Sequence, residues 1–243
     1  MIVLRRPRQL FFLFVALAAI PAAHAERRCD TESKVEDGYH LSAWTSDNFA
    51  GKNCRSWKIE DGKVRYLYLD IDMSEGGYDA GAGRTGLGTK VDDLDIKTGM
   101  YWKHEKIELD GDGHWWAGPK TVLSDEAKYI GLKGQNECYV VENAKMSPEE
   151  IVKWAKLKYR GEGTFDGEVY KHYTVDYEGI DQIWSIRQTY RREGWTSVGY
   201  MVAQWRQLGL CDNRYCLGWK TNIELNGPQK GEFGFTAMNL PKP

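Results

Sequence analysis

The stretch Asn136-Glu137-Cys138-Tyr139-Val140-Val141-Glu142 alternates in period two, so Glu137, Tyr139 and Val141 share one face of a strand and Cys138, Val140 and Glu142 share the other. A carboxylate and a phenol therefore sit on the same face. The same alternation of aromatic or β-branched residues with polar ones runs through Tyr39 to Thr45, Val64 to Ile71, Tyr101 to Leu109, Glu168 to Val175, Ile180 to Tyr190 and Leu217 to Leu225. Glycine turns punctuate these runs at Asp61-Gly62, Gly76-Gly77, Asp110-Gly111, Gly161-Glu162-Gly163 and Asn226-Gly227. Such short connections suit hairpins in a two-sheet antiparallel sandwich better than the crossovers of a parallel sheet. With no linker, repeat or low-complexity stretch between them, the strands read as one all-β domain.

Two segments break the strand pattern. Ser147-Pro148-Glu149-Glu150 offers an N-cap, a proline at the first helical position and a glutamate at the third, with Ile151, Trp154 and Ala155 on one face, which predicts a short helix to about Lys158. Val198, Met201, Val202, Trp205 and Leu208 recur at spacings of three and four before Gly209, which predicts a longer amphipathic helix packed on the sandwich.

Residues 1–25 read as a secretory signal peptide: Arg5, Arg6 and Arg8 precede an apolar run from Leu10 to Ile20, and Ala23-His24-Ala25 supplies the small-x-small cleavage site. The run is too short to span a bilayer, so the expected product is secreted, with residues 26–243 as its single domain. Cleavage removes Arg5, Arg6 and Arg8 and no acidic residue, so the exported chain is more acidic than the formal charge of −2 carried by the whole sequence. No basic run marks a nucleic-acid partner, whereas 10 Trp and 14 Tyr in a polar chain suit contact with sugar rings.

All five cysteines lie in the exported part. Cys29 can tie the N-terminal arm to the first sheet through Cys54, and Cys211 can staple a four-residue loop to Cys216, leaving Cys138 as a thiol inside an apolar strand. No Cys or His spacing suits a metal. Gly81-Ala82-Gly83-Arg84-Thr85-Gly86 matches a dinucleotide fingerprint but lacks the preceding apolar strand and the following helix, and reads as a loop. Asp110-Gly111-Asp112-Gly113-His114 begins like a calcium loop, yet Trp115 and Trp116 interrupt the ligand ladder, and it reads as a hairpin turn.

On the strand Asp181 to Gln188, the side chains of Gln182, Trp184, Ile186 and Gln188 share a face. Amide, indole and carboxylate together are what a sugar polymer requires: hydrogen bonds for hydroxyls and an apolar plate for the ring.

These strands carry a resemblance. The stretch from Asn136 to Glu142 resembles the nucleophile strand of the glycoside hydrolase family 11 xylanases, and Gln182-Ile183-Trp184-Ser185-Ile186-Arg187-Gln188 is similar to that family's Q-Y-W-S-V-R-Q. Asp37-Gly38-Tyr39 leading to Ala43-Trp44-Thr45, the helix with Gln204-Trp205 and Leu208-Gly209-Leu210, and Asn226-Gly227-Pro228-Gln229 match further family motifs in the same order. The resemblance implies a β-jelly roll of two curved antiparallel sheets forming a cleft, and retaining hydrolysis of internal β-1,4 bonds in xylan with neither metal nor cofactor. It makes Glu137 the nucleophile, Tyr139 and Gln182 residues at the site, and Trp44 a platform for a xylose ring; Trp184 joins them as a substrate-binding residue. Retaining chemistry also needs a second carboxyl about 5 to 5.5 Å away.

Here the sequence departs from the family. Aligned through Gly227 and Gln229, the acid/base position holds Asn226, whose amide cannot donate a proton at a useful pKa. Glu224 lies two residues earlier on the same strand face and is the substitute candidate. Between Val175 and Gln182 only Asp176 to Asp181 stand where the family carries a long thumb hairpin, Tyr177 stands where it has an arginine, and its tyrosine upstream of the nucleophile is displaced or lost around Tyr129 and Ile130. The helix after Ser147 is an insertion. Two readings follow: a secreted, monomeric, xylanase-like hydrolase acting on xylan or a related β-glycan, or an inactive relative that binds a glycan or a protein partner through the same cleft.

Overall fold

The computed structural model describes residues 26–30, 34–36, 39–45, 49, 51–60, 63–74, 79–87, 99–122, 136–177, 180–210 and 219–238. The signal segment and the Cys211 to Cys216 staple lie outside the described residues. Two sheets make up most of the chain. The smaller has six strands in the order β1 (Glu26–Arg28), β4 (Lys52–Glu60), β5 (Lys63–Asp72), β16 (Gln229–Met238), β7 (Gly99–Gly111) and β14 (Glu193–Ser197). The larger has ten. Its path runs β11 (Lys158–Phe165), β12 (Glu168–Tyr177), β13 (Ile180–Arg187), β9 (Asn136–Val141), β8 (His114–Val122), β15 (Trp219–Asn226), β6 (Asp79–Leu87), β3 (Tyr39–Thr45) and β2 (Lys34–Glu36), with β10 (Asn143–Ala144) paired to β8. This is the expected β-jelly roll, with one departure from a wholly antiparallel pattern: β13 and β9 run parallel, Gln182 beside Glu137 and Trp184 beside Tyr139.

Alternation sorts strands β8, β9, β12 and β13 of the larger sheet between two apolar clusters. Trp115, Ala117, Cys138, Val140, Ile183, Ile223 and Leu225 face the smaller sheet, where Trp57, Leu67, Leu69, Ile71, Trp102 and Phe233 complete the core. Helix α2 (Val198–Gln207) adds Met201, Val202 and Trp205 to the same core. It approaches β11 so closely that a Cβ on Gly161 would lie 2.8 Å from a Leu208 methyl, and one on Gly163 would lie 2.6 Å from Tyr200 Oη. Those glycines therefore belong to a strand, not to the expected turn; the β11–β12 turn is Asp166-Gly167, whose φ values of +52° and +76° are those of a tight two-residue hairpin. On the opposite face, Trp116, Tyr139, Val141, Tyr173, Trp184 and Ile186 pack against Met146, Ile151 and Leu157. The last three flank or belong to α1 (Pro148–Trp154), which starts at the expected Ser147–Glu150 capping box and stops at Trp154, short of Lys158. Helix α1 thus lies on the face that carries Glu137.

Three further expectations change. Residues 79–87 form strand β6, not a loop, paired on both sides to β15 and β3. Glycine and alanine carry no apolar pattern, so periodicity could not show it. The turn at Asp110 to His114 is not a hairpin: it carries the chain from β7 in the smaller sheet to β8 in the larger, and Asn226-Gly227 carries it back from β15 to β16. The two corners are fastened together, Gly113 N donating to Pro228 O at 2.8 Å and Gln229 Nε2 to His114 O at 2.8 Å.

Cys29 and Cys54 form a disulfide, and Cys138 is a free buried thiol whose pKa burial pushes up. Just beyond Val141, Glu142 is fully buried and accepts from Tyr170 Oη at 2.9 Å and Arg191 Nε at 2.9 Å, which pins the end of β9.

Two histidines are also buried. His104 accepts at Nδ1 from Asn143, and His172 Nδ1 meets Ser185 Oγ at 2.8 Å, which also accepts from Trp205 Nε1. Burial lowers His104 from 6.5 to about 3, helped by Arg192, and lowers His172 to about 4. A depressed histidine contributes stability that is fully present above pH 6.5, because only the unfolded chain takes up the proton as pH falls. The loss runs at about 1.4 kcal/mol per pH unit for each histidine until its folded pKa is reached. Urea unfolding at pH 5 should therefore give a stability lower than at pH 7 by about 2 kcal/mol per histidine, and His172→Gln should remove its share of the slope. Equal stability at the two pH values would refute this account.

Candidate active site

Four neighbouring strands deliver the site. Parallel pairing sets Gln182 of β13 beside Glu137 of β9; antiparallel pairing sets Lys120 of β8 beside Tyr139, and Glu224 of β15 beside Trp116. The alternation that sends Cys138, Val140, Ile183 and Ile223 into the core sends these polar side chains to the other face.

Glu137 is held at both oxygens. Its Oε2 accepts from Tyr139 Oη at 2.6 Å and Gln182 Nε2 at 3.0 Å, and its Oε1 lies 3.1 Å from Lys120 Nζ. Gln182 is aligned in turn by Trp184, whose Nε1 donates to Gln182 Oε1 at 3.1 Å. Lys120 is the hub. Its side chain is 2% exposed, and its ammonium also donates to Tyr139 Oη at 2.7 Å and to Glu224 Oε1 at 2.5 Å. Contacts of 3.1 and 2.5 Å meet at this one nitrogen, so the Glu137 and Glu224 oxygens can be no farther apart than those two contacts laid end to end. At 13% and 12% exposure, both carboxyls keep only a narrow opening to solvent.

Sequence reasoning thus names Glu137, Tyr139, Gln182 and Glu224, which the fold brings into one hydrogen-bonded cluster. Asn226 stands at the corner where β15 ends, opposite His114 and Asp79, its carbonyl accepting from Gln229 Nε2 at 3.3 Å. Trp44 occupies a position in register with Gly81, which is itself in register with Glu224; its side chain lies outside the described residues. Trp184, expected to touch substrate, is 3% exposed, with its ring stacked on Tyr139 at 4.5 Å and tilted against Trp116 at 5.3 Å. Its faces are spent on these rings, so it supports the site from beneath and offers no open plate.

Lys120 escapes the sequence reading because its strand does. Gly118-Pro119 in the middle of His114–Val122 are residues that argue against a central strand. The usable signal is parity: Trp116 and Lys120 lie four residues apart, hence on the same strand face. Among the described residues, no group of three or more His, Cys, Asp or Glu side chains is placed to hold a metal ion. No helix among them is long and apolar enough to cross a membrane.

No protein-family model and no curated protein sequence matches the chain. Solved structures do. An ENZbleach xylanase aligns with a TM-score of 0.62 at 19% identity, over 88% of this chain and 85% of its own. An engineered mutant of that xylanase reaches 0.65 at 20% identity over 88% and 85%, and the family 11 xylanase from Neocallimastix patriciarum gives 0.58 at 18% over 88% and 95%. At such identities the likeness concerns the fold, and it places this chain's two sheets and packed helix in the xylanase jelly-roll architecture.

Proposed function

We propose that the chain is a secreted glycoside hydrolase of xylanase type, acting with retention on xylan or a related β-1,4-glycan, with Glu137 as nucleophile and Glu224 as acid/base. The observation that carries this is that both carboxyls touch one ammonium on one sheet face, at 3.1 and 2.5 Å. Those contacts cap the separation of the nearest oxygens below the roughly 6.5 to 9.5 Å that inverting chemistry needs and are compatible with the about 5 to 5.5 Å of retaining chemistry. In the first step an oxygen of Glu137 bonds to the anomeric carbon while the glycosidic C–O bond breaks and the leaving oxygen takes a proton from Glu224. In the second, water gives a proton to the Glu224 carboxylate and attacks the same carbon, and the ester to Glu137 breaks. Tyr139 and Gln182 fix the nucleophile's other oxygen, and Lys120 sets the separation of the pair.

A specific observation favours a second reading, binding without hydrolysis. Lys120 Nζ holds an oxygen of each carboxyl and so occupies the gap between them, where a glycosidic oxygen would have to enter.

The experiment is release of reducing sugar from soluble xylan by wild type and Glu224→Gln. Under the hydrolase reading, wild type releases sugar and the variant loses about 10² to 10⁴ in rate. Under the binding reading, wild type releases none yet retards in a xylan-containing native gel. Wild type that neither cleaves nor binds a β-glycan would overturn both.

A further inference from the structure

Among the described residues, Trp154 and Tyr159 are the large apolar side chains left open to solvent, at 39% and 53%. They differ in what surrounds them. Tyr159 lies on β11, at the end of the larger sheet's strand order, edge-on to Tyr173. Trp154 closes α1, and its ring lies 5.4 Å from that of Trp116 and 6.0 Å from that of His114. Trp116 is the cross-strand partner of Glu224, and His114 is that of Asn226. The indole therefore stands one ring away from the row that carries the second carboxyl.

Its position is fixed by its own element. Ile151, one turn earlier, is fully buried; the capping box locks the helix start, and Leu157 N donates to Val152 O just past its end. The same segment covers the aromatic rings of the floor: Trp116, Tyr139 and Trp184 are all buried beneath Met146, Ile151 and Leu157. Among the described residues, a glycan crossing this face thus finds no open ring beside Glu137 and meets Trp154 instead. Backbone register puts Trp44, Gly81, Glu224 and Trp116 in one row across β3, β6, β15 and β8, three strand spacings or roughly 14 Å from end to end. A chain laid along that row passes Glu224 and arrives at the indole.

We propose that Trp154 is the sugar-stacking platform of this site, taking a pyranose ring of the bound β-1,4-glycan on the Glu224 side of the carboxyl pair. The proposal rests on the glycan reading above. The inserted helix, which removes the floor aromatics from contact with substrate, supplies their replacement at its own last residue. The apolar C–H face of a pyranose matches an exposed indole, while Glu224 and Gln182 offer hydrogen bonds to hydroxyls.

The test is isothermal titration of β-1,4-linked xylo-oligosaccharides of about two to six units against wild type, Trp154→Ala, Trp154→Phe and Tyr159→Ala, in Glu137→Gln background to prevent turnover. Trp154→Ala should weaken binding of the longer chains by about tenfold and leave the shortest unchanged, since stacking of one ring is worth about that factor. Trp154→Phe should keep most of the affinity, Tyr159→Ala should keep all of it, and near-UV circular dichroism should confirm that each variant is folded. If the background protein binds but Trp154→Ala binds every length equally well, the platform assignment fails while the glycan reading stands. If the background protein binds no oligosaccharide, the glycan reading fails and takes the platform with it.

Discussion

Glu137→Gln is expected to abolish hydrolysis of both xylan and a nitrophenyl β-xyloside, with losses on the order of 10³-fold or more, comparable with those found when a reacting group is deleted from other enzymes. The amide is nearly isosteric, so Tyr139 Oη and Gln182 Nε2 keep a neighbour at 2.6 and 3.0 Å and the fold is preserved. What is lost is the negative oxygen that must bond to the anomeric carbon. Glu224→Gln should behave differently on the two substrates. Xylan, whose sugar leaving group needs a proton, is cleaved slowly by that variant. The nitrophenyl leaving group needs none, so the first step persists and a glycosyl–enzyme accumulates, because the amide cannot deprotonate water in the second step. A burst of nitrophenol with Glu224→Gln and none with Glu137→Gln would assign the two roles. Equal loss of the burst in both variants, or full activity in Glu137→Gln, would sink the assignment.

The parts of this site that are legible in the sequence are those that obey period two. Glu137 with Tyr139, Gln182 with Trp184, and Glu224 with Asn226 each share a face because they lie two residues apart, and the structure puts each pair as alternation requires. Two residues before the aligned Asn226, Glu224 shares its strand face and is a candidate for that reason. Illegible are strands whose residues carry no period: β6, built largely of Gly and Ala, and β8, with Gly118-Pro119 at its middle. Without β8, Lys120 stays hidden, and with it the contact that joins the two carboxyls. Sequence also does not show where the inserted helix lies. The capping box fixes its start at Ser147, yet nothing in the segment says which sheet face Ile151 covers; that follows from the apolar rings of β9, β13 and β8 left unburied on the cleft side. An aromatic residue on a cleft-facing position is a platform only if part of its ring stays open to solvent, which is why Trp184, at 3% exposure, supports the site and does not line it.

Lys120→Met should destabilise the protein by about 3 kcal/mol, because removing one partner of a buried ion pair leaves the other charges uncompensated. The lysine head is 2% exposed and lies between two carboxyls at 13% and 12%, so solvent cannot take over its role without opening the sheet face. The two carboxylates that it now holds at 3.1 and 2.5 Å would then lose the cation they share, while Tyr139 Oη and Gln182 Nε2 continue to donate to Glu137. The methionine fills the volume of the lysine stem, so loss of packing contributes little. If charge is the cause, the triple variant Lys120→Met, Glu137→Gln, Glu224→Gln should regain most of the lost stability, since it removes the repulsion along with the ammonium. Urea unfolding of the four proteins formed by the lysine change with and without the double glutamine change gives the coupling directly. A triple variant as unstable as Lys120→Met alone would show that the lysine acts by packing, and the carboxyl spacing would then have to be set by the strands themselves.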